Sequence, residues 1–582
     1  MNRFLLLLWL ITLIASLLLR RVLYFDQQSL LFHIGVIVFI QAAFAGGVTL
    51  LRLINSSRWR KVLIHGAGYS FLLLYIVFYL SIILSNSLWG KTITLSILSD
   101  YVLSLNDLIK VLPVDAWIVY AAFVLLIILS FVLYRLCPIR SISPIKLRGR
   151  WKALRKRPAL TAIVFVVGAG LILALFKPML QFKRRAHFAG EPTMEFVWGP
   201  MWYPESLEDI YSPGKQANAM AMKECIENVK APVVASDRIN MVVLVDALRR
   251  DHLPMYGYAR QTTPFLDSMH RAGSMIAVQN AYSTSSGTLI GVAGLFSSRN
   301  WNSFAYSGLN LMKFMRRTGH RTYAFLTGHH RTWYGLTAIY RNDTETFYES
   351  ASSYAQIDVD DLTTLREFEN TELKPGSFIY MHLLSTHDLG KKSDEFRKFL
   401  PDKIGIGVSQ KTALINNYDN GILQTDFVLR KIFEKLSKEG LLEKTTLYLV
   451  ADHGQLFGEY GQWNHASSIN PAVISVPMLI YDNNLEFYKN RQLATLKDVA
   501  PSMAARMGLP IPTCWQGHSL GDTLTGFETD INIENKCEIP SARLYYRNDT
   551  LWLDHINKFD SLAARAYLDA ASNNWKFTIP LP

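Results

Sequence analysis

Asp452 and His453 close the segment T-T-L-Y-L-V-A-D-H-G, where an apolar run from Leu447 to Val450 stops and a carboxylate, an imidazole and a glycine follow at once. At the carboxyl end of a strand in an open α/β sheet, such groups project into the crevice where ligands bind. Aspartate and neutral histidine are both good ligands for a borderline cation such as Zn²⁺. Three further strand ends carry comparable chemistry. Asp246 closes N-M-V-V-L-V-D, Thr288 follows Gly287 at the start of an expected helix, and His387 ends M-H-L-L-S-T-H. His465 follows later in the Asp452 segment, and His329 and His330 follow the strand R-T-Y-A-F-L-T. A threonine hydroxyl is a poor nucleophile at neutral pH. A Zn²⁺ ion lowers the pKa of bound water from about 16 to about 7, and should favour the Thr288 alkoxide similarly. Thr288 also suits a plain helix N-cap, with Ser286, Ser285 and Thr284 as neighbouring hydroxyls.

The elements that must hold these residues alternate from Arg238 onward. N-M-V-V-L-V-D, I-A-V-Q-N-A-Y, R-T-Y-A-F-L-T, S-F-I-Y-M-H-L, T-L-Y-L-V-A-D and V-P-M-L-I-Y-D are short runs rich in β-branched and aromatic residues, with helical stretches between them. Several are nearly continuous in apolar residues, as strands buried on both faces should be. The expectation is an α/β domain, with a mostly parallel sheet and helices on both faces.

The first third differs. Five apolar stretches, at about 4–19, 30–51, 62–83, 116–136 and 159–176, approach the roughly 20 residues that a membrane-spanning helix needs. Arg20-Arg21 follow the first without a cleavage pattern, so it reads as a retained anchor. Arg58, Arg60 and Lys61 lie between spans two and three, and Arg140, Lys146, Arg148, Arg150, Lys152, Arg155, Lys156 and Arg157 between spans four and five. Basic loops stay cytoplasmic. The N-terminus is therefore expected inside and everything after the fifth span outside, which in a bacterium is the periplasm. Much of the net charge of +13 sits in those two loops, where topology and anionic lipid account for it. No nucleic-acid motif accompanies it, so nucleic-acid binding is rejected. The segment 85–114 is expected to hold a helix lying on the membrane face or the bundle. The expected division is 1–177 transmembrane, 178–237 tether, 238–540 catalytic and 541–582 a C-terminal extension. Of the four cysteines, Cys514 and Cys537 are the closest external pair and the expected disulfide.

In combination, Asp246-Ala-Leu-Arg-Arg-Asp-His, Tyr256-Gly-Tyr-x-Arg-x-Thr-Thr-Pro-Phe-Leu, Ser286-Gly-Thr288, and Asp452-His-Gly-x-x-x-Gly-Glu followed by His465 resemble the alkaline phosphatase/sulfatase superfamily. The chain is most similar there to the membrane-anchored phosphoethanolamine transferases. The resemblance implies a metal site of Asp246, Thr288, Asp452 and His453. It implies Zn²⁺ before Mn²⁺ or Mg²⁺, and Thr288 as the nucleophile that attacks phosphatidylethanolamine. The head group would then pass to an envelope acceptor such as lipid A, core sugar or another glycan. His387 and His465 would handle phosphate oxygens and protons, with His330 a candidate at the substrate pocket.

Several positions depart from the patterns of these families. Sulfatases carry a cysteine or serine where Thr288 stands, and a second aspartate where Ala247 stands. The transferases usually have glutamate in place of Asp246. Their Ser-His-Gly-Pro is Thr386-His387-Asp388-Leu389 here. The rival expectations are a phosphoglycerol transferase using phosphatidylglycerol, a phosphodiesterase delivering the group to water, and an inactive membrane regulator with the same fold.

Overall fold

The computed structural model describes, with short gaps, residues 2–139 and 237–579, together with scattered positions from 192 to 227. The chain divides into two compact units, one of Met1–Ser99 with Trp117–Trp202 and one of Asp100–Ala116 with Tyr203–Pro582.

In the first unit, helices Asn2–Val22, Gln27–Leu51, Ser57–Trp89 and Ala116–Leu136 fall on the first four expected spans. Arg58–Ser85 and Ala116–Leu136 are long and apolar enough to cross a membrane, whereas the apolar helical stretches Arg3–Leu19 and His33–Thr49 are shorter. The expected fifth span at 159–176, and the basic loop before it, lie outside the described residues. Two of the larger polar side chains inside these apolar helices are paired, as a low-dielectric interior favours: His33 Nε2 lies 3.1 Å from the Tyr79 hydroxyl, and Gln41 donates to the Tyr75 hydroxyl at 3.2 Å. A helix, Leu95–Leu103, occupies the loop where the sequence predicts one.

The second unit is built on a seven-stranded sheet. Its order runs Met275–Ala277, Met478–Tyr481, Thr445–Val450, Ile239–Val245, Ser377–Leu383, Arg321–Leu326, Thr346–Glu349. The last five are mutually parallel and the Met478–Tyr481 strand is antiparallel to its two neighbours, so the sheet is mixed and mostly parallel. Ile239–Val245 sits at its centre and is buried throughout, which is why its sequence lacks the polar alternation of a half-exposed strand. Register decides the rest. Leu244 faces both His382 and Val450, so three parallel strands end level with one another.

A second, five-stranded antiparallel sheet runs from Glu528–Ile531 to Asn574–Ile579. It begins ahead of the boundary expected at 541. Its leading edge reaches the loop before Thr288: Asn532 accepts from the Ser286 N–H at 3.1 Å and donates to the Thr284 carbonyl at 3.1 Å.

The disulfide expectation is corrected. Cys514 is bonded to Cys225, at a sequence separation of 289, and Cys537 lies outside the described residues. Nearness along the chain is a poor guide once a sheet has brought distant segments together. Here Arg317 donates to the Ile226 carbonyl at 2.6 Å, fixing the segment that carries Cys225.

Helix Pro264–Arg271 takes its cap from elsewhere in the fold. Asp426, on helix Gln410–Lys438, accepts from the Phe265 and Leu266 N–H groups at 2.8 and 3.0 Å. Burial, with Asp267 nearby, pushes its carboxyl from 3.8 up to about 7. The folded state thus keeps a proton that the unfolded chain releases near 3.8, and stability falls as pH rises through that window. The slope is at most about 1.4 kcal/mol per pH unit. Asp426→Asn is expected to remove this slope, read as the difference in denaturation midpoint from the parent between pH 4 and pH 8.

Candidate active site

The level strand ends place their following residues together. The Asp246 N–H donates to the Leu383 carbonyl at 2.9 Å, extending the ladder by one step. Asp452 emerges beside it, its Oδ1 accepting from the N–H groups of Ala247 at 3.1 Å and His453 at 2.9 Å. Thr288 opens helix Thr288–Ser297, with Gly287 extended before it. Its Oγ1 lies 3.1 Å from His453 Nε2 and 3.4 Å from Asp246 Oδ2. This approach depends on Gly291, one turn into the helix, where a Cβ would stand 2.6 Å from the Asp452 carbonyl oxygen. The His453 ring is oriented from behind, because its Nδ1 lies 2.9 Å from the Gly454 carbonyl. A carbonyl only accepts, so Nδ1 carries the proton and Nε2 keeps the lone pair that could ligate a metal.

His382 was absent from the sequence expectations. It lies within a strand that is buried throughout, with its Nε2 3.4 Å from Asp246 Oδ2. One of its atoms joins two carboxylate oxygens in a group with a common feature: Asp246 Oδ1, Asp452 Oδ2 and His382 Nε2 are buried and have no hydrogen-bond partner. Ligand atoms of these three residues lie within 4.8 Å of one another. Two buried carboxylates with unsatisfied oxygens are costly unless a cation offsets them. Burial pushes the Asp452 carboxyl up and the charge of Asp246 adds to this. Burial acts on Asp246 as well, but His387, His382 and His453 together hold its carboxyl far below the usual range. The donor set, carboxylate and imidazole, fits a divalent cation of the Zn²⁺ type. The only sequence signal for His382 was a polar residue inside the otherwise apolar S-F-I-Y-M-H-L.

The remaining expected residues divide. His387 and His465 lie together, ring centroids 5.4 Å apart, and His465 stacks on His453 at 4.1 Å. His330 does not share that position. It is fully buried, its Nε2 3.1 Å from the Thr327 carbonyl and its Nδ1 2.9 Å from the Tyr340 hydroxyl, with its ring 4.6 Å from His382. Burial, reinforced by His382, pushes its pKa well below the ordinary value. It therefore packs behind the site against His382 and has no exposed surface to offer a substrate. His329 is buried beside it. Tyr380 is likewise a supporting residue that the sequence did not single out, its hydroxyl 3.0 Å from His382 Nδ1.

Residues 240–509 match the Sulfatase family. The chain is 24% identical over 341 residues to "Phosphoethanolamine transferase EptA" of Helicobacter pylori, covering 56% of this chain and 61% of that protein. It is 25% identical over 292 residues to "Phosphatidylethanolamine transferase Mcr-1" of Escherichia coli, covering 45% of this chain and 53% of that one. The matched region thus spans about half to three-fifths of these relatives. Among solved structures, the integral membrane lipooligosaccharide phosphoethanolamine transferase A of Neisseria meningitidis aligns over 87% of this chain and 97% of its own, at 16% identity and a TM-score of 0.44.

Proposed function

Taking residues 240–509 as a Sulfatase-family domain, we propose that this chain is a membrane-bound phosphoethanolamine transferase. It moves the head group of phosphatidylethanolamine to a hydroxyl or amine of an envelope glycolipid or glycan, such as lipid A, through a covalent adduct on Thr288. The observation that carries this reading is the placement of the Thr288 hydroxyl, 3.1 Å from His453 Nε2 and 3.4 Å from the Asp246 carboxylate, at the N-terminus of a helix. The names of the relatives support phosphoethanolamine as the group transferred.

Asp246, Thr288, Asp452 and His453 would hold a Zn²⁺ ion, with His382 beside them. When bound, such an ion favours the ionised threonine oxygen and offsets phosphate charge. Thr288 Oγ1 attacks phosphorus, the bond from phosphorus to the diacylglycerol oxygen breaks, and diacylglycerol leaves with a proton from one of the site histidines. The acceptor then attacks the same phosphorus, gives up its proton to a histidine, and the bond from phosphorus to Thr288 breaks. Peptide N–H groups at the helix N-terminus favour the anionic phosphoryl group throughout. Five spans, a cytoplasmic N-terminus and a periplasmic catalytic unit complete the reading. They would keep the site in the compartment where envelope acceptors lie, with 1–177, 178–237 and 238 onward as its working boundaries, since the five-stranded sheet crosses the one expected at 541.

The test is the mass added to the Thr288 peptide when the purified protein meets mixed phospholipids. Phosphoethanolamine, with diacylglycerol released, is expected. A phosphoglycerol adduct would move the donor to phosphatidylglycerol, and a persistently unmodified peptide with hydrolysed lipid would make the enzyme a phosphodiesterase.

Gly291→Ala offers a packing test. Its methyl group would push the helix off the Asp452 backbone, and a displacement of about 1 Å at Thr288 costs on the order of a hundredfold in rate. Turnover should fall by that much, while overpacking lowers stability by only about 1–3 kcal/mol.

A further inference from the structure

His465 is held by a hairpin. Strands Leu456–Phe457 and Trp463–Asn464 pair antiparallel with Leu456 opposite Asn464, so Gln455 and His465 meet one step beyond the ladder. Gln455 Oε1 lies 2.6 Å from His465 Nδ1, and Gln455 Nε2 donates to Asp388 Oδ2 at 2.9 Å, with a longer contact of 3.4 Å to Asn464 Oδ1. Gln455 is 2% exposed, and Arg249 donates to its carbonyl at 2.8 Å.

This chain of contacts leaves one arrangement of protons. A carboxylate only accepts, so the amide must turn its NH₂ group to Asp388 and its oxygen to His465. That oxygen also only accepts, so the proton of a neutral His465 must sit on Nδ1, leaving the lone pair on Nε2. His387, across the site, is set the other way. Its Nδ1 accepts from the Leu389 N–H at 3.2 Å, which places its proton on Nε2. The two adjacent rings thus present one acceptor nitrogen and one donor N–H.

We infer that Asp388 and Gln455 are positioning residues that fix the tautomer of His465, with its proton on Nδ1, while His387 is held in the opposite tautomer with its proton on Nε2. Asp388 directly follows His387 in the chain, so one turn presents both to the site. The catalytic consequence rests on the transfer reading above; the tautomer does not.

The test uses the full-length protein in lipid nanodiscs with ¹⁵N-labelled histidine, the His465 signals being assigned by their loss in His465→Gln. The expected parent spectrum shows the Nδ1–H tautomer at His465. In Asp388→Asn, an amide that both donates and accepts releases the Gln455 orientation. A mixture of tautomers should appear, with kcat down about tenfold or more and KM for the lipid donor within about twofold of the parent. The double variant Asp388→Asn/Gln455→Glu restores an acceptor opposite Nδ1 and should recover both the single tautomer and most of kcat. A parent Nε2–H tautomer, an unchanged His465 spectrum in Asp388→Asn, or a double variant no better than the single one would overturn the inference. If the tautomer responds but Thr288 never gains a phosphoryl group, the transfer reading fails and the positioning pair stands.

Discussion

Thr288→Ala is expected to abolish the proposed transfer, lowering turnover at least about a thousandfold, because none of the other hydroxyls in its loop is placed to replace the Thr288 oxygen. Ser283, Thr284, Ser285 and Ser286 precede it in a fully buried loop. The Thr284 hydroxyl is committed to the Ile290 carbonyl at 3.4 Å, and the Ser283 hydroxyl to the Asp452 carbonyl. Only Thr288 combines partial exposure with contact to both His453 and Asp246. The phosphoethanolamine mass should vanish from the peptide in the same experiment. Thr288→Ser keeps the hydroxyl and should retain both the adduct and much of the rate. An adduct persisting on Thr288→Ala protein would place the nucleophile elsewhere in the loop.

Asp452→Asn is the second change with a large expected effect, and its two readouts move in opposite directions. The substitution removes one of the proposed anionic ligands, so metal content in the purified protein should fall well below one ion per chain and transfer should fall with it. Without metal, however, the parent buries two carboxylates beside each other, with Asp452 pushed up by burial and by the charge of Asp246. The asparagine relieves that repulsion. The chelated Asp452→Asn variant is therefore expected to melt at a higher temperature than the chelated parent, while the metal-loaded parent melts above both, since a ligand that binds only the folded state stabilises it. If chelation left the parent melting temperature unchanged, these carboxylates would not be a metal site. His382→Gln separates ligand from support within the same assay. A supporting residue costs about 10–100-fold in metal affinity, and loss of a direct ligand costs more.

The sequence alone determined a good deal about this protein, because local chemistry leaves local marks. An apolar run that ends in Asp-His-Gly, a glycine before Thr288, and long apolar segments flanked by arginine and lysine are each readable from neighbouring residues. Those marks singled out Asp246, Thr288, Asp452 and His453 one by one, and the resemblance implied that they form one group. The resemblance added the class of reaction, which periodicity could not supply.

Tertiary structure decided what depends on register and on contacts between distant segments. His382 is indistinguishable in sequence from a buried core residue, and only its parallel alignment with Leu244 sets it against Asp246. His330 looked like a pocket residue because it follows a strand, yet the fold turns it inward onto Tyr340 and Thr327. Cys514 found Cys225 across 289 residues because packing sets which thiols meet. Asp388 and Gln455 lie 67 residues apart, and each is an ordinary polar residue until the hairpin and the strand end bring them into contact with each other and with His465. Side-chain chemistry is written residue by residue, so the types of group available were legible from the start. Which of them touch was settled by parallel strands ending level and by a two-residue ladder, neither of which leaves a local trace.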